Sequence, residues 1–260
     1  MVQGARTTRT VQQIAECPEC DGVGLVRVEV DGRWASKPCR CQVALRTAAV
    51  LAKAKIPERY AHCTFANYKT NYPGADKSLS TALMFVRGFA EQYPLEGRGF
   101  LLTGSIGCGK THLATSALKW VIEQRGAEGL FCDYRELLRS IQNSYNPQVS
   151  ATEMEILNPV INAEVLILDD LGAIRPTEWV WDTVSLVLNA RYNAVKTTII
   201  TTNYAVLPPG AGGMKEDTLG DRIGERMRSR LLELCRVIEM KGADYRAGLD
   251  KKTPTPTRVK

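Results

Sequence analysis

GSIGCGKT, residues 104–111, decides how the rest of the chain is read. The stretch satisfies GxxxxGK[ST] and sits in the context that motif requires: GFLLT (99–103) before it is a strand-like apolar run, and HLATSALKWVIEQ (112–124) after it is helical. Gly104, Gly107 and Gly109 let the backbone wrap closely round phosphate oxygens, with N–H groups and a helix N-terminus aimed at them. Lys110 then reaches the β- and γ-phosphates, and the Thr111 hydroxyl holds Mg²⁺. Ser105, Cys108 and His112 complete the candidate nucleotide contacts, Cys108 as a small residue at a variable position. A chance glycine turn leaves the correct flanks unexplained.

Outward from this loop the pattern alternates strand and helix. GLFCD (129–133), EVLILDD (164–170), TTIITTN (197–203) and CRVIEM (235–240) are continuous apolar runs, as expected of strands buried on both faces. Helical patterns separate them, among them RELLRSIQNSY (135–145) and EWVWDTVSLVLNARYN (178–193). Five such strands predict a parallel α/β sheet. EVLILDD ends in acid: Asp169 is placed to bind Mg²⁺, and Asp170 to orient an attacking water. Asn203 ends the strand expected between those of the loop and the aspartates. It either positions that water or merely forms a turn. DRIGERMRSRLLEL (221–234) reads as one helix, with Arg222, Arg226 and Arg230 on a single stripe and Arg228 off it.

Before the sheet, Cys17-x-x-Cys20 and Cys39-x-Cys41 flank a hairpin-like segment containing LVRVEV. Two close pairs suit a tetrahedral structural Zn²⁺ site, although CxC departs from CxxC. The rivals are a redox CxxC, which lacks a thioredoxin-like context, and free cysteines. Helices are predicted over 43–55 and 80–93, with KTNYPGADKS (69–78) as a linker between them. Cys132 and Cys235 fall on strands and read as buried hydrophobes.

The net charge is +6, which is compatible with nucleic acid without requiring it. With two histidines in the chain, a His-centred triad is poorly supplied. No apolar run is long enough for a membrane span, and the N-terminus lacks a secretory h-region, so a cytoplasmic protein without a membrane partner is expected. Residues 1 to about 12 and the basic tail KKTPTPTRVK are expected to be loose.

GSIGCGKTHLA, LILDDLG, TTIITTNY and ERMRSRLL, in this order, resemble the AAA+ ATPases of the bacterial helicase-loader group (DnaC and DnaI), related to IstB and DnaA. IPERYAHCTFANY (56–68) resembles the segment leading into that core. The resemblance implies a five-stranded AAA+ P-loop NTPase core, strand order 5-1-4-3-2, binding ATP and Mg²⁺ and assembling into a ring or helical oligomer on single-stranded DNA. It implies domains at 1–55 (zinc-binding, docking the replicative hexameric helicase), 56–247 (ATPase) and 248–260 (tail). Asn203 matches sensor 1, and Arg230, or else Arg226, the arginine finger. Arg246 of DYR matches sensor 2. Aspartate at 170, where many relatives carry glutamate, implies hydrolysis that is slow or dependent on DNA or a partner. Arg135, Arg139 and Tyr145 occupy the helix that lines a DNA path in such proteins, though Leu137, Leu138 and Ile141 fit an ordinary packing helix equally well. Alternatives are an IstB-like transposition helper on duplex DNA, a small-molecule P-loop kinase, and a DNA-binding switch that does not hydrolyse ATP.

Overall fold

The computed structural model describes residues 17–30, 32–94, 98–206 and 217–248. The segments expected to be loose, residues 1–12 and the tail KKTPTPTRVK, lie outside the described residues. The chain divides into two compact units, Met1–Lys53 and Ala54–Lys260.

In the first unit, β1 (Leu25–Val30) and β2 (Arg33–Pro38) form an antiparallel hairpin, Leu25 opposite Pro38 and Val30 opposite Arg33. Helix α1 (Arg40–Lys53) follows directly, starting earlier than the predicted 43–55. Every residue of β2 is exposed and α1 buries none. The apolar centre is instead Cys17, Cys20 and Cys39, with Val26 and Cys41 against them.

The second unit is built on a five-stranded parallel sheet. Its strands are β3 (Gly99–Gly104), β4 (Gly129–Asp133), β5 (Val165–Asp169), β6 (Thr197–Thr201) and β7 (Cys235–Met240), in the order β4-β5-β6-β3-β7. Counted within the core this is 5-1-4-3-2, as expected. Strand periodicity divides the side chains between two covered faces. Leu101, Leu166, Leu168 and Ile200 join one apolar cluster with α4 (Tyr134–Ser144), α5 (Glu153–Asn162), α6 (Glu178–Asn193), α7 (Leu219–Ile223) and α8 (Glu225–Leu234). The alternate residue Phe100 meets the rings of Phe85 and Phe89, at 6.4 and 4.9 Å, on α2 (Lys77–Glu91). Helix α3 (Lys110–Arg125) runs on from the glycine loop and buries Leu113, Leu118, Val121 and Ile122.

Three expectations change. The arginine-rich stretch is two helices, because Gly224 takes φ 85° and ψ 140° between α7 and α8; a continuous helix cannot pass through that backbone. Arg222 is thereby removed from the stripe. The predicted linker is tied down: Ala75 bridges Gly242, and the Tyr72 hydroxyl donates to the Ala243 carbonyl at 2.9 Å. Finally, α5 had no counterpart among the predicted helices. Its capping box is plain, with the Thr152 hydroxyl accepting from the Glu155 N–H and the Glu155 carboxylate accepting from the Thr152 N–H.

Candidate active site and cysteine cluster

The glycine loop joins the end of β3 to α3, at the carboxyl edge where ligands of open α/β sheets bind. Gly107 and Gly109 have φ of 76° and 91°, so side chains there would be strained. They would also collide, a Cβ on Gly107 lying 1.9 Å from Asp244 Oδ1 and one on Gly109 2.6 Å from Tyr68 Cε2. The loop is closed from outside its own strand. Ser105 N–H donates to the Met240 carbonyl at 3.0 Å, and Tyr245 N–H to that of Gly107 at 3.2 Å. Tyr68 hydroxyl donates to the Cys108 carbonyl at 2.8 Å.

Lys110 is 7% exposed, and its ammonium donates to the carbonyls of Gly104 and Ser105, both at 2.8 Å. Burial pulls its pKa below the ordinary lysine value, while Cys108, Asp170 and Asp169 act in the opposite sense. Thr111 hydroxyl donates to Asp169 Oδ1 at 2.8 Å, and Thr201 hydroxyl donates to the same oxygen at 2.6 Å. Burial raises Asp169 above the usual carboxylate range, against these two hydrogen bonds. A divalent cation between Thr111 and Asp169 suits this pair, being hard and oxygen-seeking.

Asp170 lies just past β5 in the left-handed region, φ 59°. Asn203 Nδ2 donates to its Oδ1 at 2.8 Å, and Arg135 pairs with its Oδ2 at 3.0 Å. Thr201 hydroxyl accepts from the Asp170 N–H at 2.9 Å, registering β6 against the turn. Asn203 is thus bonded to an acidic side chain, more than the turn-former reading provides. Arg135, expected on a DNA path, lines the same pocket; sequence spacing gave no sign of this, because it depends on β4 and β5 being neighbours. On α4, Leu137, Leu138 and Ile141 are buried, Arg139 is exposed, and the Tyr145 hydroxyl donates to Glu153 at 2.9 Å.

Lys110, Thr111, Arg135, Asp169, Asp170 and Asn203 border a cavity of about 750 Å³ that also meets Arg59, Tyr60, Tyr72 and Arg246, a size that suits a nucleotide. Arg246 lies at its rim, held by Asp244 through Nε at 3.0 Å and Nη2 at 3.2 Å. His112 borders it too, but its Nε2 contacts the Thr64 carbonyl at 3.0 Å.

None of Arg222, Arg226, Arg228 and Arg230 borders the cavity. Arg222 stacks on Tyr204 at 4.4 Å and pairs with Asp217 at 2.9 Å; Arg228 pairs with Glu225 at 2.6 Å and donates to the Val206 carbonyl at 3.2 Å. Both are packing residues. Arg226 is exposed, and Arg230 lies 5.3 Å over the Tyr192 ring. Four residues apart on α8, these two share a face about 100° round the helix from the buried Met227 and Leu231.

In the first unit, Cys17, Cys20, Cys39 and Cys41 place their sulfurs within 4.8 Å of one another. Cys17–Cys39 is 3.8 Å and Cys20–Cys41 is 3.5 Å, far beyond a disulfide bond. Tetrahedral zinc with bonds of about 2.3 Å puts sulfurs about 3.8 Å apart, so the donor set fits that ion. Gly24 N–H donates to the Cys20 sulfur at 3.2 Å, the kind of outer bond that orients a thiolate ligand.

The family described as IstB-like ATP binding protein matches residues 41–253. The replicative helicase loader DnaC of Buchnera aphidicola subsp. Schizaphis graminum is 25% identical over 185 residues, covering 71% of each chain. A crystal structure of the DnaC helicase loader superposes with a TM-score of 0.60 at 31% identity, covering 71% of this chain and all of that one. A crystal structure of DnaI gives 0.57 at 22% identity, over 72% of this chain and 95% of that one, and so shares the fold.

Proposed function

The chain belongs to the IstB-like ATP-binding protein family, and from that premise we propose that it is an ATPase that loads the replicative DNA helicase onto single-stranded DNA. The observation carrying this reading is the Asn203–Asp170 hydrogen bond beside the Thr111–Asp169 pair in a phosphate-loop cavity. A small-molecule kinase has no use for a sensor amide on that acid. The similarity to helicase loaders supplies the partner. Among the described residues, no helix is long and apolar enough to cross a membrane.

In this reading the loop N–H groups hold the phosphates, and Lys110 exchanges its two carbonyl partners for phosphate oxygens. Thr111 and Asp169 hold Mg²⁺, which neutralises phosphate charge when bound. Asp170 accepts a proton from the attacking water, and Asn203 fixes the orientation of its carboxylate. Arg246 serves the same subunit's phosphates, while Arg230, with Arg226 the lesser candidate, serves a neighbour's across an oligomer interface.

The family match begins at residue 41, so Cys17, Cys20 and Cys39 fall outside it. We assign the first unit to helicase docking. Trp34 (73% exposed), Val23 and Leu25 offer apolar contact there beside the basic Arg27, Arg33 and Lys37. With so little else buried among the described residues of that unit, a zinc ion on the four cysteines would be its main source of order. Cys39→Ser is expected to lose that zinc and the hydrogen-exchange protection of the β1 and β2 amides at 25–30 and 33–37, with the ATPase unit melting as before. Unchanged metal content would remove the zinc assignment.

The loading activity is tested with purified helicase and single-stranded DNA coated with a single-strand binding protein. Unwinding that requires both this chain and ATP is the expected result; a helicase that neither binds the chain nor gains activity from it sinks the proposal. The family is described as IstB-like, and the resemblance to IstB gives the second reading, a helper that directs a transposase on duplex DNA. ATP-dependent coating of duplex in preference to single strands is its signature.

A further inference from the structure

His62, Cys63 and His112 form a second group of metal-binding side chains, one that the hydrolytic reading does not use. One ligand atom from each lies within 4.8 Å of the other two, in a separate unit from the four-cysteine cluster. His62 Nε2 is 4.0 Å from the Cys63 sulfur, and the imidazoles of His62 and His112 meet edge to face with centroids 6.1 Å apart.

The backbone carrying these groups is built rather than loose. Lys119 donates to the Cys63 carbonyl at 3.1 Å, Asn67 Nδ2 to the His62 carbonyl at 2.7 Å, and Cys63 N–H to the Tyr60 carbonyl at 3.0 Å. A carbonyl only accepts, so the 3.0 Å contact between His112 Nε2 and the Thr64 carbonyl is a donation by Nε2. That leaves Nδ1 as the nitrogen with a free lone pair, the tautomer control commonly given to metal-bound histidine.

We propose that His62, Cys63 and His112 form a second zinc site at the mouth of the nucleotide cavity. Two imidazoles and one thiolate are a borderline-soft set that selects Zn²⁺ over the hard Mg²⁺ of the phosphate site. Three protein ligands leave the fourth position open, and all three line the nucleotide cavity, so that position belongs to water or to an oxygen of the cavity's occupant. Binding releases the Cys63 thiol proton to solvent and changes no oxidation state.

The experiment titrates the full-length, chelator-stripped, reduced chain with Zn²⁺ and counts bound metal by atomic emission. Cys63→Ser is expected to hold one equivalent fewer than the wild type. Because Cys63 is buried, His62→Ala, at an exposed side chain, provides a second arm, with the same equivalent weakened by at least about tenfold. Cys17→Ser removes a different equivalent, so the two losses add in the double variant, which separates this site from the four-cysteine cluster. Equal stoichiometry and affinity in wild type, Cys63→Ser and His62→Ala overturn the proposal.

Discussion

Arg230→Ala is expected to lower DNA-stimulated ATP turnover by about 10³-fold, the scale of an arginine supplied in trans to a phosphoryl transition state. Nucleotide affinity should stay within a few-fold, since Arg230 does not border its own subunit's cavity. Lys110→Ala should fail for the opposite reason. It removes the buried ammonium that sits on Gly104 and Ser105 and leaves the phosphates without their cation, costing roughly 10²–10³-fold in turnover together with ATP affinity. Neither variant works alone, but their interfaces differ. Where a Lys110→Ala subunit presents its Arg230 to the intact site of an Arg230→Ala subunit, a complete site is restored, and the mixture should hydrolyse ATP faster than either parent. Phosphate release across mixing ratios gives a curve with an interior maximum. A straight line between two low endpoints, or an Arg230→Ala chain with wild-type turnover, would remove the trans assignment. Arg226→Ala under the same mixing decides between the two arginines on that face of α8.

Arg191→Met should cost on the order of 3–5 kcal/mol in stability, by leaving buried acceptors without donors. Arg191 is 1% exposed, on the last turns of α6. Its Nη1 donates to the carbonyls of Val160, Ile161 and Ala163 at 3.0, 3.1 and 2.8 Å; its Nη2 donates to the Thr197 carbonyl at 2.6 Å, and its Nε to the Thr198 hydroxyl at 2.9 Å. One guanidinium therefore caps the end of α5 and joins it to the start of β6. Methionine fills comparable space and supplies no donor. A fall in melting temperature of roughly 10 °C follows for a unit of this size. A change under about 2 °C would show that the carbonyls find other partners. Burial lowers the Arg191 pKa to about 10, which still leaves it charged at neutral pH.

The legible part of this fold was whatever repeated locally. Apolar runs ending in GSIGCGKT, LDD and TTN carry their strand assignment and their chemistry together, and so the strands and the aspartates could be placed, whereas the strand order came from the family resemblance. What required the folded chain was pairing across the sheet. Arg135 reaches Asp170 because β4 lies beside β5, whereas position 135 on its own reads as a charged helix start. Arg191 reads as surface charge within a helical pattern, and only the carbonyls converging on it show otherwise. Gly224 stands among helix formers, and its φ of 85° separates Arg222 from the three arginines of α8. Helix α5 was hidden by Asn158-Pro159, although Thr152 and Glu155 marked its start.

The placement of β3 has a consequence for synthesis. Its two sheet neighbours, β6 and β7, both lie far later in the chain, and the loop at its tip is closed by Met240 and Tyr245. A nascent chain that has already exposed the glycine loop therefore has no strand on either side of it until Thr197–Thr201 emerges, and none on the second side until Cys235–Met240 does. Non-local pairing of this kind is slow and leaves strand edges open to other chains in the interval. Retention on immobilised ATP should accordingly select full-length protein from a mixture of truncated products, because the last strand of the sheet also completes the cradle for the phosphates.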